Sequence, residues 1–206
     1  MRSDLLKRLA VALPIAAYYA FSCMYDGAWR IPYLLALFAF GFVVLSDFYR
    51  LASHSETERP FKPAGFVFAC VLILIFWNER LKTLPSVNGL SPVIQKISQS
   101  ISVQSNLIQA LVVCSIFLLA VLQFRRGTAQ GAIYSIGATT LGIIYTTIPI
   151  CHTALMLNLK DGVFYMWLVS WCTFMGDTAA YLAGGLWGRH KAGIFVSPNK
   201  TIEGYV

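Results

Sequence analysis

Six long apolar blocks, at 9–24, 31–48, 63–77, 107–124, 132–151 and 162–186, alternate with short charged runs, and this alternation constrains the chain more than any motif in it. The blocks bracket the ~20 residues needed to cross ~30 Å of hydrocarbon, and their apolar residues do not keep to one helical stripe. A soluble core could not hide them. Of 206 residues 57% are apolar and only 12% charged, where a soluble domain carries about a quarter charged. The expectation is an all-α, polytopic integral membrane protein with about six transmembrane helices. The block at 63–77 is the shortest, and its alternative is a re-entrant or interfacial segment with Trp77 as the interfacial aromatic. The first block starts basic, as a signal peptide does. Its ending, Ala20-Phe21-Ser22-Cys23, is only weakly lipobox-like and further spans follow, so it reads as a retained first helix.

Charge sets the expected orientation. With the N-terminus cytoplasmic, the inner loops collect Arg2, Lys7, Arg8, Arg50, Arg59, Lys62, Arg125, Arg126, Arg189, Lys191 and Lys200, which is eleven of the sixteen Lys and Arg residues. The bias of Lys and Arg toward the cytoplasmic side therefore favours N-in. A cysteine introduced at Ser91 should then react with an impermeant thiol reagent in sealed cells, and one at Ser55 should be protected; the reverse labelling would overturn the orientation. The net charge of +7 calls for no nucleic-acid partner, because the same topology and attraction to anionic head groups account for it.

The residues between the blocks divide unevenly in interest. The polar stretch 78–106 opens with turn signals and continues, over 93–103, with Ile94, Ile97 and Ile101 at helical spacing, the pattern of a short helix lying on the membrane surface. The loop 50–62 mixes both signs of charge and reads as a solvated connector. Cys23, Cys70, Cys114, Cys151 and Cys172 are scattered without a C-x-x-C pair and read as small buried hydrophobes. His54-Ser55-Glu56 begins a zinc-deaminase-like pattern that no P-C-x-x-C completes, and His152 falls at a helix end. The whole chain reads as one membrane domain, with 1–170 a scaffold and 171–206 the last helix and a polar strip.

Chemistry concentrates in that last part. Asp177 lies inside an apolar block, where a carboxylate costs at least ~2.5 kcal/mol unless it faces a polar cavity or a partner. It reads either as a helix-packing hydrogen-bond group or as a ligand for metal or protons. Gly176, Ala180, Gly184 and Gly188 recur every fourth residue and make a smooth face for close approach of another backbone, in this chain or in a homodimer. Tyr181 follows Asp177 by four residues, so the two share a face. From Gly188 the chain turns basic, then reads Ser197-Pro-Asn-Lys-Thr-Ile-Glu-Gly204. Arg189, His190, Lys191 and Lys200 offer cationic donors, Ser197 and Thr201 hydroxyls, and Pro198 stiffens the turn between them, a set suited to anionic oxygens. It is not a Walker loop, since the glycine and lysine spacing is wrong. A positive-inside stop would explain Arg189 and Lys191, but not the Ser-Pro-x-Lys-Thr arrangement.

At these residues the chain resembles the CDP-diacylglycerol synthase (phosphatidate cytidylyltransferase) family of polytopic membrane enzymes. The family pattern, a Gly-Asp-Thr/Ser start with Ala-Tyr, a Gly-Lys/Arg-His/Thr-Lys run and a Ser-Pro-x-Lys-Thr/Ser stretch ending Glu/Gln-Gly, is met here in order over 174–205, with Ala179 and Ile202 as mild departures. The resemblance implies cytidylyl transfer from CTP to phosphatidate with a divalent cation such as Mg²⁺, in a bacterial inner membrane with the active face cytoplasmic. By the same resemblance Asp177 would hold metal or substrate phosphate and act in catalysis with Lys191 and Lys200. Tyr181, Arg189, His190, Ser197, Pro198 and Thr201 would line the CTP or phosphatidate site, and Glu203 would support them. The family's second acidic motif is not in this sequence, so the resemblance implies the front portion of a longer or split enzyme, inactive alone. Two other readings stand beside it: a CTP-dependent lipid kinase of the polyprenol or phytol type, and a non-catalytic membrane subunit.

Overall fold

The computed structural model describes residues 2–25, 27, 30–53, 55, 57–82, 96, 100, 106–188, 190, 191, 193, 201 and 202. They form two compact units, Met1–Lys160 and Asp161–Val206. The first holds five helices, α1 (Arg2–Met24), α2 (Ile31–Leu51), α3 (Lys62–Leu81), α4 (Leu107–Arg126) and α5 (Ala132–Met156); the second holds α6 (Gly162–Leu186). Each expected block is thus helical. Four of the helices, α2 to α5, are long and apolar enough to cross a membrane, and α1 has a shorter apolar stretch, Leu13–Met24. Large apolar side chains such as Phe40, Phe117, Phe124 and Ile133 stand exposed on the outside of these helices. In water that surface would be costly, whereas hydrocarbon accepts it. The protein is an all-helical integral membrane protein.

Local chemistry fixes where the helices start and stop. Pro32 and Pro63 occupy first-turn positions of α2 and α3, where a missing N–H costs nothing. Gly127 closes α4 at φ +75° and Gly131 opens α5 at φ +70°, left-handed conformations that favour glycine. A Cβ at Gly131 would also lie 2.5 Å from the Thr57 carbonyl oxygen. Gly131 therefore lets the α4–α5 turn sit directly on the α2–α3 loop.

The shortest expected block is one of the most deeply packed. α3 runs four residues past Trp77 to Leu81, because the polar residues there are held rather than solvated. Arg80 is buried, donates to Asn158 Oδ1 at 3.3 Å and lies 5.5 Å from the centre of the Trp77 ring. The hydroxyl of Tyr33 donates to Thr153 at 2.8 Å, and its ring stacks on Trp77. His152, expected at a helix end, sits within α5 with its ring edge against Phe76 and Nδ1 2.8 Å from the Ile148 carbonyl oxygen.

At the other end of the bundle Tyr49 is the keystone. It is fully buried with Leu45 and Ala69, flanked by Phe48 and Phe66. Its hydroxyl donates to the Thr139 carbonyl oxygen at 2.9 Å. Two glycines make room for the ring: a Cβ at Gly65 would strike its hydroxyl, and one at Gly142 would lie 2.5 Å from its Cε1 and 3.0 Å from Phe48 Cδ1. Room left by small residues for a neighbour's side chains is one way helices gain packing where no hydrophobic drive exists. Here it operates at Gly65 and Gly142.

α5 is not a regular helix. Residues Ile143–Thr147 form a π-turn, in which the N–H of Ile148 reaches back five residues to the Ile143 carbonyl. Pro149 follows at once; its ring excludes the carbonyl of the residue four before it and it has no N–H to donate, and a widened turn accommodates both. The extra residue moves the buried stripe by one position: Ser135, Thr139, Gly142 and Thr146 before it, Thr147, Cys151 and Ala154 after it.

Of the stretch 93–103 the structure describes Lys96 and Ser100, both helical, with the Ser100 hydroxyl donating to the Lys96 carbonyl at 2.9 Å. All five cysteines are free; Cys23 and Cys151 are buried, Cys70 is half-buried, and Cys114 and Cys172 are exposed. His54 and Glu56 lie outside the described residues.

Candidate functional site

α6 carries the carboxylate that the sequence sets inside an apolar block. Asp177 and Tyr181 lie one turn apart on it, and both are exposed. The polar residues around Asp177 fold back on their own helix. Thr173 donates to the Val169 carbonyl at 2.9 Å and Thr178 to the Phe174 carbonyl at 2.7 Å, the usual way a hydroxyl is satisfied in an apolar helix. Among the described residues no side chain donates a hydrogen bond to Asp177 or pairs with it, so its carboxylate stays available as an acceptor. Among the described residues no three His, Cys, Asp or Glu side chains converge on one point. A divalent cation takes several oxygen ligands, and the described donor set offers it one. That set does not by itself fit a magnesium site.

Beyond α6 the chain doubles back on itself. The N–H of Trp187 closes the last turn on the Ala183 carbonyl at 2.9 Å, and Gly188 follows. Lys191 then pairs antiparallel with Thr201, and the N–H of Ile202 donates to the His190 carbonyl at 2.9 Å. The two halves of the basic strip, ten residues apart in sequence, are therefore laid side by side. A glycine is required under the crossing. A Cβ at Gly188 would strike the Gly184 carbonyl and lie 2.7 Å from both Oγ1 and Cγ2 of Thr201. Gly188, read from the sequence as part of a packing stripe, is here the seat of the Thr201 side chain. Gly193 has φ +64°, a left-handed conformation that favours glycine.

The pairing has a chemical consequence. Thr201 Oγ1 is buried without a hydrogen-bond partner among the described residues. A buried hydroxyl left unsatisfied costs about 1–3 kcal/mol, which an oxygen brought to it would offset. Lys191 and His190 are exposed next to it. Of the sequence-predicted site residues, the structure thus brings Lys191 and Thr201 together, keeps His190 adjacent, and holds Asp177 with Tyr181 on α6. Arg189, Ser197, Pro198, Lys200 and Glu203 lie outside the described residues. The antiparallel pairing itself was not readable from the sequence.

Comparison with known proteins gives the site its context. Residues 6–206 match the model of the cytidylyltransferase family. The chain is 28% identical over 158 residues to the phosphatidate cytidylyltransferase of Staphylococcus haemolyticus, an alignment covering 68% of this chain and 56% of that protein. Shorter stretches are more similar: 48% identity over 44 residues to the Staphylococcus aureus (strain COL) phosphatidate cytidylyltransferase, covering 21% of this chain and 16% of that one. A third, from Staphylococcus saprophyticus, is 46% identical over 50 residues, 23% of this chain and 18% of that protein. The aligned part is thus little more than half the length of the first relative. No solved structure matches.

Proposed function

The chain belongs to the cytidylyltransferase family, and from that premise we propose that it supplies the phosphate-gripping part of a phosphatidate cytidylyltransferase, acting on the cytoplasmic face of a bacterial membrane. The observation that carries the proposal is the pairing of Lys191 with Thr201 beside the seat at Gly188. It sets a cationic side chain next to a buried hydroxyl that has no partner among the described residues. In the reaction a phosphate oxygen of phosphatidate attacks the α-phosphorus of CTP, the bond to the bridging oxygen breaks, and pyrophosphate leaves with that electron pair. Little covalent work falls to the protein; charge must be neutralised and the oxygens held in line. Lys191, with Lys200 and Arg189 from the same strip, would neutralise phosphate charge. The hydroxyls of Thr201 and Ser197 would hold individual oxygens, with His190, Pro198 and Glu203 shaping the strip. Tyr181 would flank Asp177, and Asp177 would contribute one ligand toward magnesium.

The test uses this chain fused to the segment that follows the aligned stretch in the Staphylococcus haemolyticus relative. Membranes bearing the fusion should convert labelled CTP to CDP-diacylglycerol only when phosphatidate is added, and the 206 residues alone should yield none, since their described donor set offers a metal one carboxylate. Transfer of phosphate from CTP to a polyprenol by the fusion would replace this reading with that of a lipid kinase.

A further inference from the structure

A second basic site lies in the first unit and shares no residue with the strip. The loop between α2 and α3, a solvated connector by its sequence, is fastened to α5 and α4. The hydroxyl of Tyr134 donates to the Ala52 carbonyl at 2.8 Å and that of Ser135 to the Thr57 carbonyl at 3.1 Å. The N–H of Phe61 donates to Thr139 Oγ1 at 2.8 Å. Arg126 completes the fastening. Its guanidinium donates to the Arg59 carbonyl and to Ser135 Oγ, each at 3.2 Å, and sits 4.0 Å from the centre of the Phe61 ring. Held this way, the loop walls a cavity of about 650 Å³ lined by Ser53, Ser55, Arg59, Phe61, Lys62 and Arg126, with Pro60 and Pro63.

Three cationic residues and two serines line this cavity, and no carboxylate does so among the described residues; the serine hydroxyls are engaged locally, Ser53 with the Tyr49 carbonyl and Ser55 with Thr57. Its walls are fixed by bonds to backbone carbonyls, so little ordering remains to be done on binding. Guanidinium and ammonium side chains bordering one space suit the oxygens of a phosphate group. The cavity lies where α2 ends, α3 begins and α4 ends, and these are three of the four helices apolar enough to cross a membrane. Such a place is at the depth of lipid head groups.

We propose that this cavity binds the phosphate of an anionic phospholipid head group, as a site separate from the one at Lys191. The experiment compares the wild-type chain with the Arg59→Gln/Lys62→Gln double variant. Both side chains are exposed, and the bonds fastening the loop use the backbone carbonyl of Arg59, which the variant keeps. After incubation with equal amounts of phosphatidylcholine and phosphatidylglycerol, native mass spectrometry counts the lipid retained. The wild type should retain phosphatidylglycerol preferentially, and the variant should lose about fivefold of that preference for each charge removed. A thermal-shift arm with inorganic phosphate separates the sources. Stabilisation by the lipid alone supports a head-group site, and equal stabilisation by phosphate, lost in the variant, supports a site for a free phosphate-bearing molecule and overturns the lipid assignment. Equal lipid retention by a wild type and a variant that melt at the same temperature without lipid would overturn the site altogether. If the variant melts lower, Lys62→Gln alone provides the same comparison.

Discussion

Replacing Lys191 by alanine in the fused enzyme is expected to lower CDP-diacylglycerol formation by about 10²–10³-fold, the loss typical when one preorganised electrostatic contact to a reacting group is removed. The reasoning starts from position. The antiparallel pairing fixes the Lys191 backbone opposite Thr201, so its side chain starts from a set position, and alanine keeps the pairing while removing the charge. The loss should fall on kcat/KM, and Lys191→Arg should recover part of it, since a guanidinium restores charge with a different reach. Asp177→Asn provides the companion measurement. The amide keeps the shape of the side chain and removes its charge, so a metal or phosphate role predicts loss of turnover with unchanged expression and melting. Full activity of Asp177→Asn would return that residue to helix packing, and full activity of Lys191→Ala would remove the strip from the site.

Gly142→Leu is expected to lower the stability of the first unit by about 3 kcal/mol, at the upper end of what overpacking costs. Even a Cβ would enter the Tyr49 ring at 2.5 Å, and the ring cannot retreat. It is enclosed by Leu45, Ala69, Phe48 and Phe66 and anchored through its hydroxyl to Thr139. The same helix provides its own control. Gly137 has nothing within 4 Å of the position a Cβ would take, so Gly137→Ala should leave the melting temperature unchanged or raise it slightly, through the helix preference of alanine. Melting of purified protein in detergent checks both. If Gly142→Leu melts with the wild type, α2 and α5 do not approach at Tyr49 as described.

The helical blocks were legible because hydrocarbon imposes a length and a composition that little else in a sequence imitates. Their ends were not. α3 continues through Asn78, Glu79 and Arg80, which read as loop, because Arg80 finds Asn158 only once the chain has folded. The loop 50–62 looked free for a similar reason: its fastenings run mostly to backbone carbonyls, which every residue has and no motif announces. Of the small-residue stripe read from the sequence, Gly176 has nothing within 4 Å of the position a Cβ would take. The glycines that hold helices together in the first unit, however, are the isolated Gly65 and Gly142 rather than a stripe. In the strip, residue chemistry pointed to anionic oxygens. What it could not give was the pairing of Lys191 with Thr201, which needs the close approach of Thr201 to Gly188.

The π-turn in α5 also bears on chain length. Because its extra residue moves the buried stripe by one position, from Thr146 to Thr147, removing a single residue from Ile143–Thr147 would join the two stripes into one unbroken α-helical seam. Ser135, Thr139 and Gly142 would keep their face, and Cys151 and Ala154 theirs. The segment is thus a one-residue splice between two helical phases, and a straight counterpart of this helix could be superposed on it with one gap inside 143–147 and no change in which side chains meet the bundle.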